Sequence, residues 1–127
     1  MSVRELTSHR VNGLNESINI IVMDEPGQGN ACHHYRIEPI TYEHPQGAIN
    51  PCEIKFQNGP ILEAGVNGLS NEALLAVVED RLVGFQSGPF ACRENAVALT
   101  KLQESMMWLQ KRTRDRVARG VEGTNVK

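Results

Sequence analysis

Aromatic residues are scarce in this chain: three Phe, two Tyr and a single Trp make up 5% of its 127 residues. A core dominated by large rings is excluded, and so is the interleaving of aromatic and basic side chains with which binders of single-stranded nucleic acid stack successive bases. Cysteine is sparse as well. Cys32, Cys52 and Cys92 are odd in number and include no Cys-x-x-Cys pair, which argues against a disulfide framework and against a zinc ribbon or finger. No window approaches the roughly 18 apolar residues of a membrane helix, and no apolar stretch follows the opening MSVRELTSHR. No membrane partner is therefore expected, and the chain is expected in the cytoplasm.

The motifs of the commoner enzymes are missing too. Cys32 stands beside His33 and His34, but neighbours on a strand point to opposite faces, so only Cys32 and His34 could cooperate, and no G-x-S-x-G or similar elbow supports them. A zinc site from Cys32, His34, Cys52 and one further ligand has no recognised spacing; buried cysteines acting as small hydrophobes are the simpler reading. Gly27-Gln28-Gly29 lacks the further glycines and the following helix of a dinucleotide or Walker motif and reads as a hairpin loop, although N–H groups in such a turn can contact a phosphate. No catalytic residue, metal or cofactor is expected.

What is present is unevenly distributed. The formal charge is only −2, yet residues 1 to 100 carry six Lys/Arg against twelve Asp/Glu, whereas residues 101 to 127 carry seven against three. A positive C-terminal quarter attracts phosphate-bearing partners, or is simply a solvated helix face. Arg112, Arg116 and Arg119 recur at i, i+4 and i+7, one stripe of guanidinium forks suited to phosphate oxygens. With a pI near 6.1 a small anionic ligand fits better than a nucleic acid polymer, and none is expected as a partner. The length suits one compact domain whose modest core a second copy could complete.

Hydropathy periods divide the chain into an α+β arrangement: a small antiparallel β-sheet within residues 1–66, then a two-helix antiparallel hairpin within residues 67–127. Residues 18–24 (INIIVMD) read as a strand ending at Glu25-Pro26-Gly27, and residues 32–38 (CHHYRIE) as its return, with His33, Tyr35 and Ile37 on one face. A connection carrying Pro39, Pro45 and Pro51 follows. CEIKFQ then alternates into Asn58-Gly59, which predicts a tight hairpin turn with Ile61 and Leu62 on the return strand. At Ser70 the period changes to 3.6. Ser70 is a helix cap, Leu74 or Leu75, Val78, Leu82 and Phe85 form an apolar stripe, and Ser87-Gly88-Pro89 breaks the helix. A second helix is predicted from about Phe90 to Arg119, with a near-heptad seam of Cys92, Asn95, Leu99, Leu102, Met106, Leu109 and Thr113. Asn95 in that seam serves either register or a ligand.

From Leu69 to Lys127 the chain resembles the helical hairpin shared by two kinds of phage anti-defence protein, the anti-CBASS and anti-Thoeris cyclic nucleotide sponges. The resemblance rests on NEALL at 71–75, DRL-x-x-FQ-x-G-x-F-x-C at 80–92, the Glu94-Asn95 pair, QKRT at 110–113 and RGVEGT at 119–124. The preceding β segment, with DEPGQGNACHHY at 24–35, looks like the anti-Thoeris branch. The resemblance implies a homo-oligomer, a dimer or hexamer, that works in the cytoplasm of the infected host. There it sequesters the cyclic ADP-ribose isomers made by TIR-domain enzymes without cleaving them, and some members also bind CBASS cyclic oligonucleotides at a separate site. Carried over, Phe85 stacks on adenine, Asn95 hydrogen-bonds base or ribose, and Arg112 clamps the pyrophosphate, with His33 and Tyr35 as further candidates for the same pocket.

Asn95 and Arg112 are 17 residues apart (112 − 95), roughly 25 Å along one straight helix, too far to grip one small nucleotide. If both contact one ligand, Arg112 comes from a second chain packed antiparallel and the pocket lies at a subunit interface. Arg119, Gly120, Gly123 and Thr124 form either a site for a cyclic trinucleotide or an ordinary helix C-terminal cap. Two alternatives to the sponge stay open: an enzyme that hydrolyses the signal, and a nucleic-acid-binding regulator using the basic helix.

Overall fold

The computed structural model describes residues 4–39 and 50–127. Its elements run β1 (Arg4–Leu6), α1 (Gly13–Glu16), β2 (Ile18–Val22), a 3-10 turn at Gln28–Asn30, β3 (His34–Pro39), β4 (Cys52–Lys55), α2 (Ile61–Ala64), α3 (Asn71–Gln86) and α4 (Arg93–Ala118). They are an antiparallel sheet followed by helices, the α+β class that the change of period predicts. They form two compact units: one comprises the chain to Gly59 together with Val66–Leu69, and the other Pro60–Gly65 with Ser70–Lys127.

In the first unit the four strands pair in sequence order, β1-β2-β3-β4, each antiparallel to the next. The register sets like beside like, because residues opposite one another across a sheet share a face. Leu6, Ile20, Ile37 and Cys52 make one row across it, and Arg4, Val22, Tyr35 and Ile54 the next. Val22 is fully buried, and Tyr35 meets Phe56 edge-on with ring centroids 5.7 Å apart. The opposite face carries charge: Arg36 pairs with Glu38 at 2.7 Å, and His34 with Glu53 at 2.9 Å. The strands expected at 18–24 and 32–38 thus pair, over Ile18–Val22 and His34–Pro39. β1 is an addition, unmarked in the sequence because only Leu6 of its three residues is apolar. Between it and β2, Asn12 caps α1 by accepting the Asn15 N–H.

The expected hairpin at Asn58-Gly59 does not form. Residues 61–64 wind into α2, with the N–H groups of Glu63 and Ala64 both bonded to the Pro60 carbonyl. Pro60, with φ −71°, is already set for the residue preceding a helix and has no N–H to give a strand. Nor are the backbone groups of Asn58 free to close a hairpin: its N–H reaches Asn67 Oδ1 and its carbonyl accepts from Asn67 Nδ2, each at 2.8 Å. The return is made by Leu69 instead, in a parallel bridge to Phe56. Gly68 permits it, since a Cβ there would lie 2.4 Å from the Phe56 carbonyl carbon. The Pro45 part of the proline-bearing connection lies outside the described residues.

In the second unit, α3 and α4 form the hairpin. The Ser70 hydroxyl accepts the Ala73 N–H, capping α3 as expected. The helix ends at Ser87, which stays in the right-handed region, so Gly88 is not the left-handed cap that its position suggested. Phe90 lies outside α4, three-quarters exposed, and α4 begins after Cys92, whose sulfur accepts the Asn95 N–H. Cys92 is therefore a cap and off the seam. The remaining seam positions, from Asn95 through Leu99, Leu102, Met106 and Leu109 to Thr113, are all half-buried. On α3 the inward stripe is Leu74, Leu75 and Leu82, while Val78 and Phe85 remain 45% and 39% exposed.

Candidate functional site

The last three turns of α4 carry the basic stripe. Trp108, Arg112, Asp115 and Arg119 stand at i, i+4, i+7 and i+11 and so share one face. With Lys111 and Lys127 they border a groove of about 340 Å³. Two of these cations are already engaged. Lys111 pairs with Asp115 at 2.7 Å, and Arg119 donates to the Lys127 carbonyl. Arg112 has neither an ion pair nor a hydrogen bond among the described residues, so its fork is available to an anion.

Arg116, which the spacing placed in the same stripe, does something else. It is only 7% exposed, and its guanidinium donates to the carbonyls of Val121 at 2.9 Å, Thr124 at 3.0 Å and Val126, and to the Glu122 carboxylate at 3.2 Å. A buried charge must find such partners, and here they fold the tail back along the helix end. The two glycines foreseen around this tail have backbone roles. Gly120, at φ +73°, follows the helix cap in the left-handed position, with its own N–H on Val117 and that of Val121 on Arg116, a Schellman closure. Gly123, at φ +82°, accepts the Leu62 N–H, and a Cβ there would lie 2.9 Å from Leu62 Cγ. The Thr124 hydroxyl donates to the Val121 carbonyl at 2.5 Å.

Phe85 and Asn95 lie at the other end of the hairpin, on either side of the α3–α4 turn. Arg81 covers one face of the Phe85 ring at 5.4 Å. The Asn95 backbone N–H is used in capping, while its half-buried side chain makes no hydrogen bond among the described residues. Within one chain the structure therefore brings Phe85 and Asn95 to the same turn and leaves Arg112 at the far end of α4.

His33 and Tyr35 belong to the sheet unit. Asp24 Oδ2 accepts the His33 N–H at 2.9 Å and Oδ1 the His34 N–H at 3.2 Å, closing the glycine-containing loop between β2 and β3. The His33 bond is the main reason that the Asp24 carboxyl titrates below its ordinary range; His34 adds to it and partial desolvation opposes both. The His33 ring packs against Gly27, with Nδ1 buried and unpartnered among the described residues. It borders a cavity of about 190 Å³ together with Asp24, Lys55, Asn58 and Asn67. Tyr35 meets Phe56 edge-on, and Phe56 also borders this cavity. The cysteines stand apart: Cys32 is buried, its thiol 3.5 Å from the Asp24 carbonyl, Cys52 is exposed and Cys92 is a cap. Among the described residues no cluster of three His, Cys, Asp or Glu is placed to hold a metal.

Sequence reasoning overlooked Trp108 and Asp24. Trp108 could have been noticed as the aromatic one turn before Arg112; the Asp24 contacts depend on loop closure and leave no sequence signal.

The chain has recognisable relatives. It is 57% identical over 74 residues to "Thoeris anti-defense 1" of Bacillus phage SBSphiJ7, a match covering 58% of this chain and 52% of that one; it thus spans about half the length of that curated relative. Residues 48–114, more than half of the chain and including all of α3 and most of α4, match the Acb2/Tad1 hairpin domain. With its helical hairpin and the residues that compose it, the chain belongs to the Acb2/Tad1 hairpin-domain family.

Proposed function

We propose that this protein is a phage anti-defence sponge that captures cyclic ADP-ribose isomers produced in Thoeris immunity and holds them uncleaved in the host cytoplasm. The observation that carries the reading is the unpartnered guanidinium of Arg112 in a basic groove, on a hairpin of this family. Such a fork is preorganised for a pyrophosphate. The likeness to a Thoeris anti-defence protein supports the class of signal. Phe85 stacks on adenine and Asn95 bonds to base or ribose, and because Arg112 stands roughly 25 Å away along α4, a second copy supplies it. Two copies suffice for such a pocket, and a hexamer repeats it.

Native mass spectrometry with cyclic ADP-ribose isomers, followed by denaturation and analysis of the released ligand, tests the proposal. The expected result is an oligomer with intact ligand bound; a ribose-phosphate fragment in place of the ligand marks an enzyme, and no bound ligand refutes the sponge. A second pocket for CBASS cyclic oligonucleotides is proposed at Arg119, Gly120, Gly123 and Thr124. A cyclic trinucleotide that gives no calorimetric heat at high protein concentration removes it.

A further inference from the structure

The chain has one tryptophan, and it is not in the core. Trp108 is 65% exposed, while the inward seam of α4 passes it by through Leu102, Met106, Leu109 and Thr113. In a sequence so poor in aromatics, leaving the largest apolar ring in water forgoes much of the burial available to it. The ring borders the basic groove. One helical turn further on, roughly 6 Å along the axis, stands Arg112. Lys111, the other cation at that level, is neutralised by Asp115.

We propose that Trp108 is a base-stacking wall of this groove, so that the Arg112 end of the hairpin recognises the purine of a phosphorylated nucleoside as well as its phosphates. The proposal rests on the sponge reading and extends it to a residue outside the Phe85, Asn95 and Arg112 set. An indole offers a flat bicyclic face that matches a purine, and stacking tolerates differences in the rest of the ligand because it reads only the ring. One turn between ring and guanidinium suits a ligand in which base and phosphate are joined through a ribose. Of the engaged cations, Lys111 and Arg116 are matched by the Asp115 and Glu122 carboxylates and Arg119 is held on the Lys127 carbonyl, so Arg112 is left to meet the phosphate oxygens.

The single tryptophan reports on its own groove. The experiment follows its fluorescence while the full chain is titrated with ADP, cyclic ADP-ribose or inorganic pyrophosphate, with calorimetry in parallel on wild type, Trp108→Leu and Trp108→Phe, each checked for helix content by circular dichroism. Expected are quenching by ADP and cyclic ADP-ribose but not by pyrophosphate, and a Kd for both nucleotides raised about tenfold in Trp108→Leu. Trp108→Phe should recover most of the affinity, and pyrophosphate binding should be equal in all three. Cyclic ADP-ribose that binds wild type and Trp108→Leu equally, without quenching, overturns the stacking role and leaves the sponge standing. Quenching by ADP with no binding of any cyclic ADP-ribose isomer supports the stacking wall and refutes the sponge. Absence of binding by either nucleotide to wild type overturns both.

Discussion

The guanidinium of Arg116 donates to the backbone carbonyl of Thr124 at 3.0 Å from inside the last turn of α4, and this contact decides which of the C-terminal arginines is left for a ligand. Replacing Arg116 by Met removes the guanidinium donor from the Thr124 and Val126 carbonyls and from the Glu122 carboxylate, and should lower stability by about 2–3 kcal/mol. The drop is measured from the urea midpoint, and limited proteolysis should then cut after residue 119 sooner than in wild type. Arg112→Met, by contrast, should leave both readouts unchanged.

Two glycines give opposite expectations for the same substitution. Gly123→Ala puts a methyl 2.9 Å from Leu62 Cγ at a φ of +82°, so it should destabilise by about 1–2 kcal/mol. Gly84 lies within α3, and a Cβ there meets nothing within 4 Å. Gly84→Ala should stabilise by about 0.5–1 kcal/mol through helix propensity alone. Thermal unfolding of the two variants beside wild type checks both signs.

Asp24 makes stability depend on pH in a defined direction. Its folded pKa is lowered from the ordinary 3.8, first by the His33 N–H. Its contribution is therefore complete above that ordinary value and is lost as pH falls through the lower folded one. Glu53, lowered chiefly by the hydrogen bond from His34, acts in the same sense. The unfolding temperature should fall on acidification below about pH 4, and Asp24→Asn should flatten part of that slope while starting from a lower value at neutral pH. A slope identical in the variant shows that the loop does not depend on the carboxylate.

Asn95 and Arg112, on one helix but 17 residues apart (112 − 95), lend themselves to complementation. Asn95→Ala and Arg112→Ala should each lose binding of a cyclic ADP-ribose isomer as pure oligomers. A mixed oligomer should regain a fraction of wild-type sites, because some pockets then receive Asn95 from one chain and Arg112 from the other. Calorimetric stoichiometry of the mixture reads the outcome, and no recovery at all refutes a pocket shared between chains.

Local chemistry made much of this molecule legible. The β-branched run INIIV, the alternation in CEIKFQ, the serine before NEALL and the heptad of leucines and methionine state their geometry through residue preference and periods of 2 and 3.6, which depend on backbone repeat and on which side chains avoid water. The change of period at Ser70 and the stripe of cations ending α4 were equally plain. Asn58-Gly59 misled, because a local turn preference is weaker than the bidentate hold of Asn67, a residue nine positions later whose contribution exists only once the chain has folded back. The same limit separates the arginines: Arg112, Arg116 and Arg119 are equivalent on a helical wheel. Sequence by itself determined that a positive face would form there. Only the tertiary structure decided that Arg116 is buried beneath the tail carbonyls while Arg112 stays open beside Trp108, because the partners that neutralise a buried charge come from chain that turns back after Gly120.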